Sequence, residues 1–143
     1  MIIKSFEINK INLKINPLIL LYGKNEGHKS QVISDILKDK GKTENYDEKE
    51  VLDNSNNFLE GLFTRSLFEN EKSIIIKRVS DKILKVVNQI IDKNLENIII
   101  IFNAELLDRN SKLRTFFEKN NKTVCIPFYA DNQQTLTKIV TSF

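Results

Sequence analysis

Hydrophobic residues in this chain fall into two kinds of pattern. Continuous apolar runs of strand length, Leu18-Ile19-Leu20-Leu21-Tyr22, Ser73-Ile74-Ile75-Ile76 and Ile98-Ile99-Ile100-Ile101-Phe102, alternate with stretches whose apolar residues recur at helical spacing. Strands that are apolar on both sides need cover on both sides, and their alternation with helices builds a mostly parallel sheet. The predicted class is α/β. Ile83, Leu84, Val86, Val87, Ile90 and Ile91 predict the crossover helix that joins two parallel strands. Val32, Ile33, Ile36 and Leu37 share one face of a helix that follows Gly23. Leu113, Phe116 and Phe117 mark another helix, Thr123 to Phe128 a strand, and Leu136, Ile139, Val140 and Phe143 a closing helix with Asp131 as its N-cap.

The intervening stretches read less regularly. Lys38 to Glu50 is polar with a short strand near Asn45 and Tyr46, and Val51 to Phe63 predicts one or two helices broken by an Asn-rich interruption. Residues 1–16 alternate in part through Ile2, Ile3, Phe6, Ile8, Ile11, Leu13 and Ile15, which predicts an extra strand or hairpin. No repeat or linker divides the chain, so 1–143 is expected to be one domain. Its last helical pattern runs to Phe143 without a capping Gly or Pro, as in a chain that stops mid-protein.

Composition narrows the partners without choosing one. The 143 residues are 41% hydrophobic and 29% charged, which is globular and neither disordered nor fibrous. Lys and Arg number 22 against 19 Asp and Glu, and a net charge of +3 is far from the concentrated basic footprint of a nucleic-acid binder. DNA contact is expected to be indirect or weak. Nearly all the basic residues are Lys in a chain rich in Ile and Asn, a bias that A·T-rich codons produce, so Lys clusters carry little weight. One cysteine, Cys125 between Val124 and Ile126, excludes a disulfide framework and reads as a core thiol in a reducing, cytoplasmic setting. One Cys and one His leave no metal site of proper spacing, and the apolar runs are too short to span a membrane.

The chemistry-bearing motif is Gly23-Lys24-Asn25-Glu26-Gly27-His28-Lys29-Ser30, placed where a strand turns into a helix. Gly23, Lys29 and Ser30 match GxxxxGK[ST], the loop whose backbone N–H groups cradle phosphates. The glycine before the lysine is displaced to Gly27, and His28 stands in its place. A nucleotide hydrolase also needs an acidic pair at a buried strand tip to hold Mg²⁺. The strand Ile98 to Phe102 runs instead into Asn103-Ala104-Glu105. The loop is therefore expected not to bind nucleotide, no cofactor is expected, and His28 is read as an exposed first-turn residue without chemistry.

Three further phrases follow in order: Thr64-Arg65-Ser66-Leu67-Phe68 ahead of the strand Lys72 to Val79, Leu106-Leu107-Asp108-Arg109-Asn110-Ser111-Lys112-Leu113-Arg114 after the next strand, and Tyr129-Ala130-Asp131-Asn132 near the end. With the degenerate loop, this order resembles the delta subunit of the bacterial DNA polymerase III clamp loader across Leu18 to Val140. The resemblance implies an AAA+-like fold with a silent nucleotide site, no intrinsic enzymatic activity, and membership of a DNA-directed DNA polymerase holoenzyme. It implies that Ser66, Leu67 and Phe68, at the tip of a short helix, bind the sliding clamp, with Arg65, Asn70 and Lys72 flanking them as solvated charge or polar rim. It further implies lid and collar domains, absent here, through which other loader subunits assemble. Taken alone, Leu67 and Phe68 read as core, and Ser111 reads as a helix N-cap rather than part of a basic contact. Two other readings stay open: a P-loop NTPase or kinase with an atypical loop, and a generic interaction domain on a vestigial nucleotide fold.

Overall fold

The computed structural model describes residues 1–68, 72–95 and 97–128, with 65–68 described by backbone alone. In chain order the elements are β1 (Leu18–Gly23), α1 (Glu26–Ile36), β2 (Thr43–Asp47), α2 (Glu48–Asp53), α3 (Ser55–Phe68), β3 (Lys72–Lys77), α4 (Leu84–Lys93), β4 (Ile98–Asn103), α5 (Lys112–Lys119) and β5 (Thr123–Phe128). The five strands form one sheet in the order β2-β3-β4-β1-β5. Every pairing is parallel, with Leu18 in register with Ile100 on one side and Thr123 on the other. The predicted α/β architecture is thus observed, and the closing helix over Leu136 to Phe143 and its cap Asp131 lie outside the described residues.

Side chains alternate between two cores because a strand's period is two. Leu18, Leu20 and Tyr22 of β1, Ile98, Ile100 and Phe102 of β4, and Ile74 and Ile76 of β3 pack against α2 to α5, where Leu62, Val86, Val87, Leu113 and Phe117 meet them. Ile19 and Leu21, with Ile101, Val124, Ile126 and Phe128, face the other way and pack under Val32, Ile33 and Ile36 of α1. This two-sided cover is why the runs are continuously apolar. β2 is a polar edge strand, and Asn54, with φ −132° and ψ 45°, makes the break between α2 and α3 that the Asn-rich interruption predicts.

The amino-terminal segment departs from expectation. Residues 1–16 form no strand or hairpin; Ser5–Lys10 is a 3₁₀ helix, and only Ile2 makes an isolated parallel bridge, to Cys125. The reason is local. Glu7 accepts a hydrogen bond from the Lys4 N–H at 2.9 Å and pairs with Lys10, closing a tight turn, while Ile8 and Ile11, three apart, lie along α1's side of the sheet. The Met1 ammonium donates to the carbonyls of Phe117, Thr123 and Asn120 at 2.9, 3.0 and 3.2 Å, at the carboxyl end of α5 where a helix favours a cation.

Candidate functional site

In an open parallel sheet, ligands bind beyond the carboxyl ends of the strands where the strand order reverses. Here that point is the tip of β1, flanked by β4 and β5, and the β1–α1 turn occupies it. The turn is short: only Lys24 and Asn25 separate β1 from α1. Gly23 adopts φ 122°, and a Cβ there would sit 1.6 Å from the Phe128 carbonyl oxygen, so this position requires glycine. Its N–H donates to the Glu105 carbonyl at 2.7 Å.

Because α1 begins at Glu26, three of the N–H groups that a phosphate would recruit are already used. Glu26 N–H donates to the Lys24 carbonyl, His28 N–H to the Asn25 side-chain oxygen, and Lys29 N–H to the Asn25 carbonyl, at 2.9, 3.2 and 2.9 Å. Gly27 lies inside the helix with nothing within 4 Å of an added Cβ, so it does no loop work. His28 is exposed, as expected, with its ring edge-on to Phe128 at 5.0 Å. Ser30 is exposed too.

Lys29 shows most clearly what became of the motif. It is completely buried, donates to the Ala104 carbonyl at 2.9 Å and forms a 2.6 Å ion pair with Glu26. A buried ammonium is tolerated only when paired and hydrogen-bonded. Both conditions are met from within the chain, so the lysine ties α1 to the end of β4 instead of reaching outward. Sequence reasoning missed Glu26 as its partner, although the Glu26-x-x-Lys29 spacing is the i, i+3 ion-pair signal. Ala104 carried no signal at all.

The neighbouring strand tips are equally unsuited to a metal nucleotide. β4 ends at Asn103 with Ala104 following, and β3, next outward, ends at Lys77 with Arg78 following. Arg78, in the left-handed region at φ 56°, donates to both carboxylate oxygens of Asp47 at 2.6 and 3.2 Å. Glu48 accepts hydrogen bonds from the Ser80 hydroxyl and N–H. Asp47 and Glu48 are therefore committed to protein groups, and among the described residues no three His, Cys, Asp or Glu cluster as metal ligands.

The Ser66-Leu67-Phe68 segment corrects another expectation. It is not the tip of a short helix but the last turn of α3, a helix of 14 residues that ends four positions ahead of the start of β3. The side chains of Arg65, Ser66, Leu67 and Phe68, and all of Asn70, lie outside the described residues, whereas Lys72 forms a 3.0 Å ion pair with Glu44. α3 runs back against the strands, so Leu67 and Phe68 reach the amino-terminal edge of the sheet, opposite the degenerate loop.

Ser111 caps α5 as predicted, accepting from Arg114 N–H at 3.2 Å. Asp81 completes the cap. It accepts from the Ser111 hydroxyl at 2.6 Å and from the Lys112 and Leu113 N–H groups at 3.2 Å, and these bonds, the hydroxyl's foremost, hold its carboxyl below the ordinary carboxylate value. Arg114 lies over the Tyr22 ring at 4.9 Å and donates to the Leu107 carbonyl. The Ser-Lys-Leu-Arg phrase is thus structural here.

No family model matches the sequence, and no curated protein matches it. Solved structures do. The chain is similar to the Bacillus subtilis DNA clamp loader delta protein, with a TM-score of 0.72 at 17% identity over 96% of this chain and 46% of that one. It is also similar to a Rhizobiales Trip13, with a TM-score of 0.56 at 12% identity over 91% of this chain and 51% of that one. The chain spans about half the length of these structures. The likeness to a clamp loader delta protein read from the sequence therefore holds at the level of the fold. Among the described residues no helix is long and apolar enough to cross a membrane.

Proposed function

We propose that this chain is the first domain of a clamp-loader delta-type subunit, a non-catalytic cytoplasmic protein that binds and opens the replication sliding clamp. The observation that carries the proposal is the fold shared with a clamp loader delta protein along 96% of the chain. The buried, internally paired Lys29 supports the non-catalytic part. In this reading ATP is bound and hydrolysed by partner subunits, which assemble through domains beyond this one, and the holoenzyme's polymerase chemistry lies elsewhere.

Leu67 and Phe68 act as anchors. Seated in an apolar pocket of the clamp, each removes area worth about 1.5–3 kcal/mol from water, so the pair accounts for most of a modest interface. Ser66 and the end of α3 hold them at the sheet's edge. Opening requires that the domain bind the distorted clamp better than the closed one, because only differential affinity shifts a conformational equilibrium.

The test is titration of the cognate clamp with wild type and with Leu67→Ala/Phe68→Ala. The double variant is expected to lose affinity by roughly 100-fold or more while its melting temperature and circular dichroism stay near wild type. A large loss of stability instead assigns the pair to the core. The rival NTPase reading is tested by calorimetry with Mg·ATP, for which no micromolar binding is expected; saturable binding at that level would restore it.

A further inference from the structure

The amino-terminal edge of the sheet, where α3 ends, also holds an open cleft of about 360 Å³. Its floor is apolar, made by Ile90 and Ile91 of α4, Leu95 and Ile98, and its rim carries Lys14 and Lys122. Both lysines are exposed, neither forms an ion pair among the described residues, and no described lining residue is a carboxylate. Ile15, also on the rim, is 61% exposed. In a chain this rich in lysine a cationic rim alone means little. A solvent-facing recess of four aliphatic side chains between two cations that have no ion-pair partner among the described residues is what composition does not account for.

The cleft adjoins the end of α3 by two independent connections. Lys72, four residues after Phe68, pairs in register with Ile98 of the cleft floor. On the helical side, the Phe63 ring of α3 lies 5.4 Å beneath the ammonium of Lys93, whose neighbour Asn94 lines the cleft. Anything that receives the end of α3 thus comes up against the cleft as well.

We infer that this cleft is a second contact for the same protein partner, taking an acidic segment that inserts an aliphatic or aromatic side chain between Ile90, Leu95 and Ile98 while its carboxylates meet Lys14 and Lys122. The inference rests on the proposed clamp-binding function. Charge complementarity selects the partner's chemistry: two cations with no counter-ion among the described residues attract carboxylates and repel a basic surface, and the apolar floor has no use for a phosphate backbone. The contact would give orientation and association rate, with the α3 anchors supplying most of the affinity.

The test compares Lys14→Glu/Lys122→Glu, Ile15→Asp and Leu67→Ala/Phe68→Ala in binding to the cognate clamp at several salt concentrations. The charge reversal is expected to weaken clamp binding by about tenfold and to flatten its salt dependence, with Ile15→Asp weakening it several-fold and both variants melting near wild type. Wild-type binding that the α3 variant abolishes and the charge reversal leaves unchanged overturns the cleft alone. No wild-type binding overturns the clamp reading and the cleft with it. A fluorescein-labelled oligonucleotide that binds wild type and not the charge reversal, while clamp binding is unaffected, assigns the lysines to phosphate and overturns the proposal.

Discussion

Two glycines in the degenerate loop should respond to alanine in opposite ways. At Gly23 the added methyl would lie 1.6 Å from the Phe128 carbonyl oxygen and 2.6 Å from its carbon, on the strand paired in register with Gly23 itself. Restoring van der Waals distance means parting β1 from β5 by roughly 2 Å. Backbone strain at φ 122° contributes about 1–3 kcal/mol and each ladder hydrogen bond lost about 1 kcal/mol. Gly23→Ala is therefore expected to lose about 4 kcal/mol or more, a large share of a stability on the order of 5–15 kcal/mol. At Gly27 an added methyl meets nothing within 4 Å and sits in the first turn of α1, where alanine should add about 0.5 kcal/mol. Thermal melts by calorimetry and urea unfolding read both effects: a fall of roughly 10 °C or more for Gly23→Ala and a rise of about 1–3 °C for Gly27→Ala. In a working phosphate loop a glycine beside the lysine is indispensable, so a destabilised Gly27→Ala would refute the helix-start geometry. A Gly23→Ala chain as stable as wild type would refute the close β1–β5 approach.

Two further outcomes test the fold. Asp81 is held below the ordinary carboxylate value chiefly by the Ser111 hydroxyl, so its contribution to stability is full above that range and disappears as pH falls through its folded pKa. Asp81→Asn should cost about 1 kcal/mol near neutrality, with the gap from wild type closing below about pH 4 in urea titrations; a gap unchanged at pH 3 would deny the cap. Burial pushes the Cys125 thiol up to about 12, and the residue is fully buried. Ellman's reagent at pH 8 should label it at least ~100-fold more slowly in the native chain than in urea, and fast native labelling would place it outside the core.

The parts of the fold legible in the sequence are those whose signal is local and repeated. The β5 boundaries, Thr123 and Phe128, are those the apolar run predicts, and α4 follows from six residues at helical spacing. Where the local signal was mixed, prediction failed: partial alternation in residues 1–16 gave way to a 3₁₀ turn set by Glu7, and Ser66 to Phe68 continue α3, in which no Gly or Pro follows Gly61. The Glu26 partner of Lys29 was legible as an i, i+3 pair, yet its meaning was not. Whether a lysine at that spacing points to solvent, to a phosphate or into the protein depends on a carbonyl 75 residues away.

The sequence by itself determined the class, the strand and helix alternation and the absence of a proper glycine before Lys29, because these rest on side-chain period and residue identity. Only the tertiary structure decided the sheet order, the closing of the loop over its own N–H groups and the cleft beside α3. Buried parallel strands are interchangeable in composition, and which backbone groups and cations remain free is settled by neighbours distant in the chain.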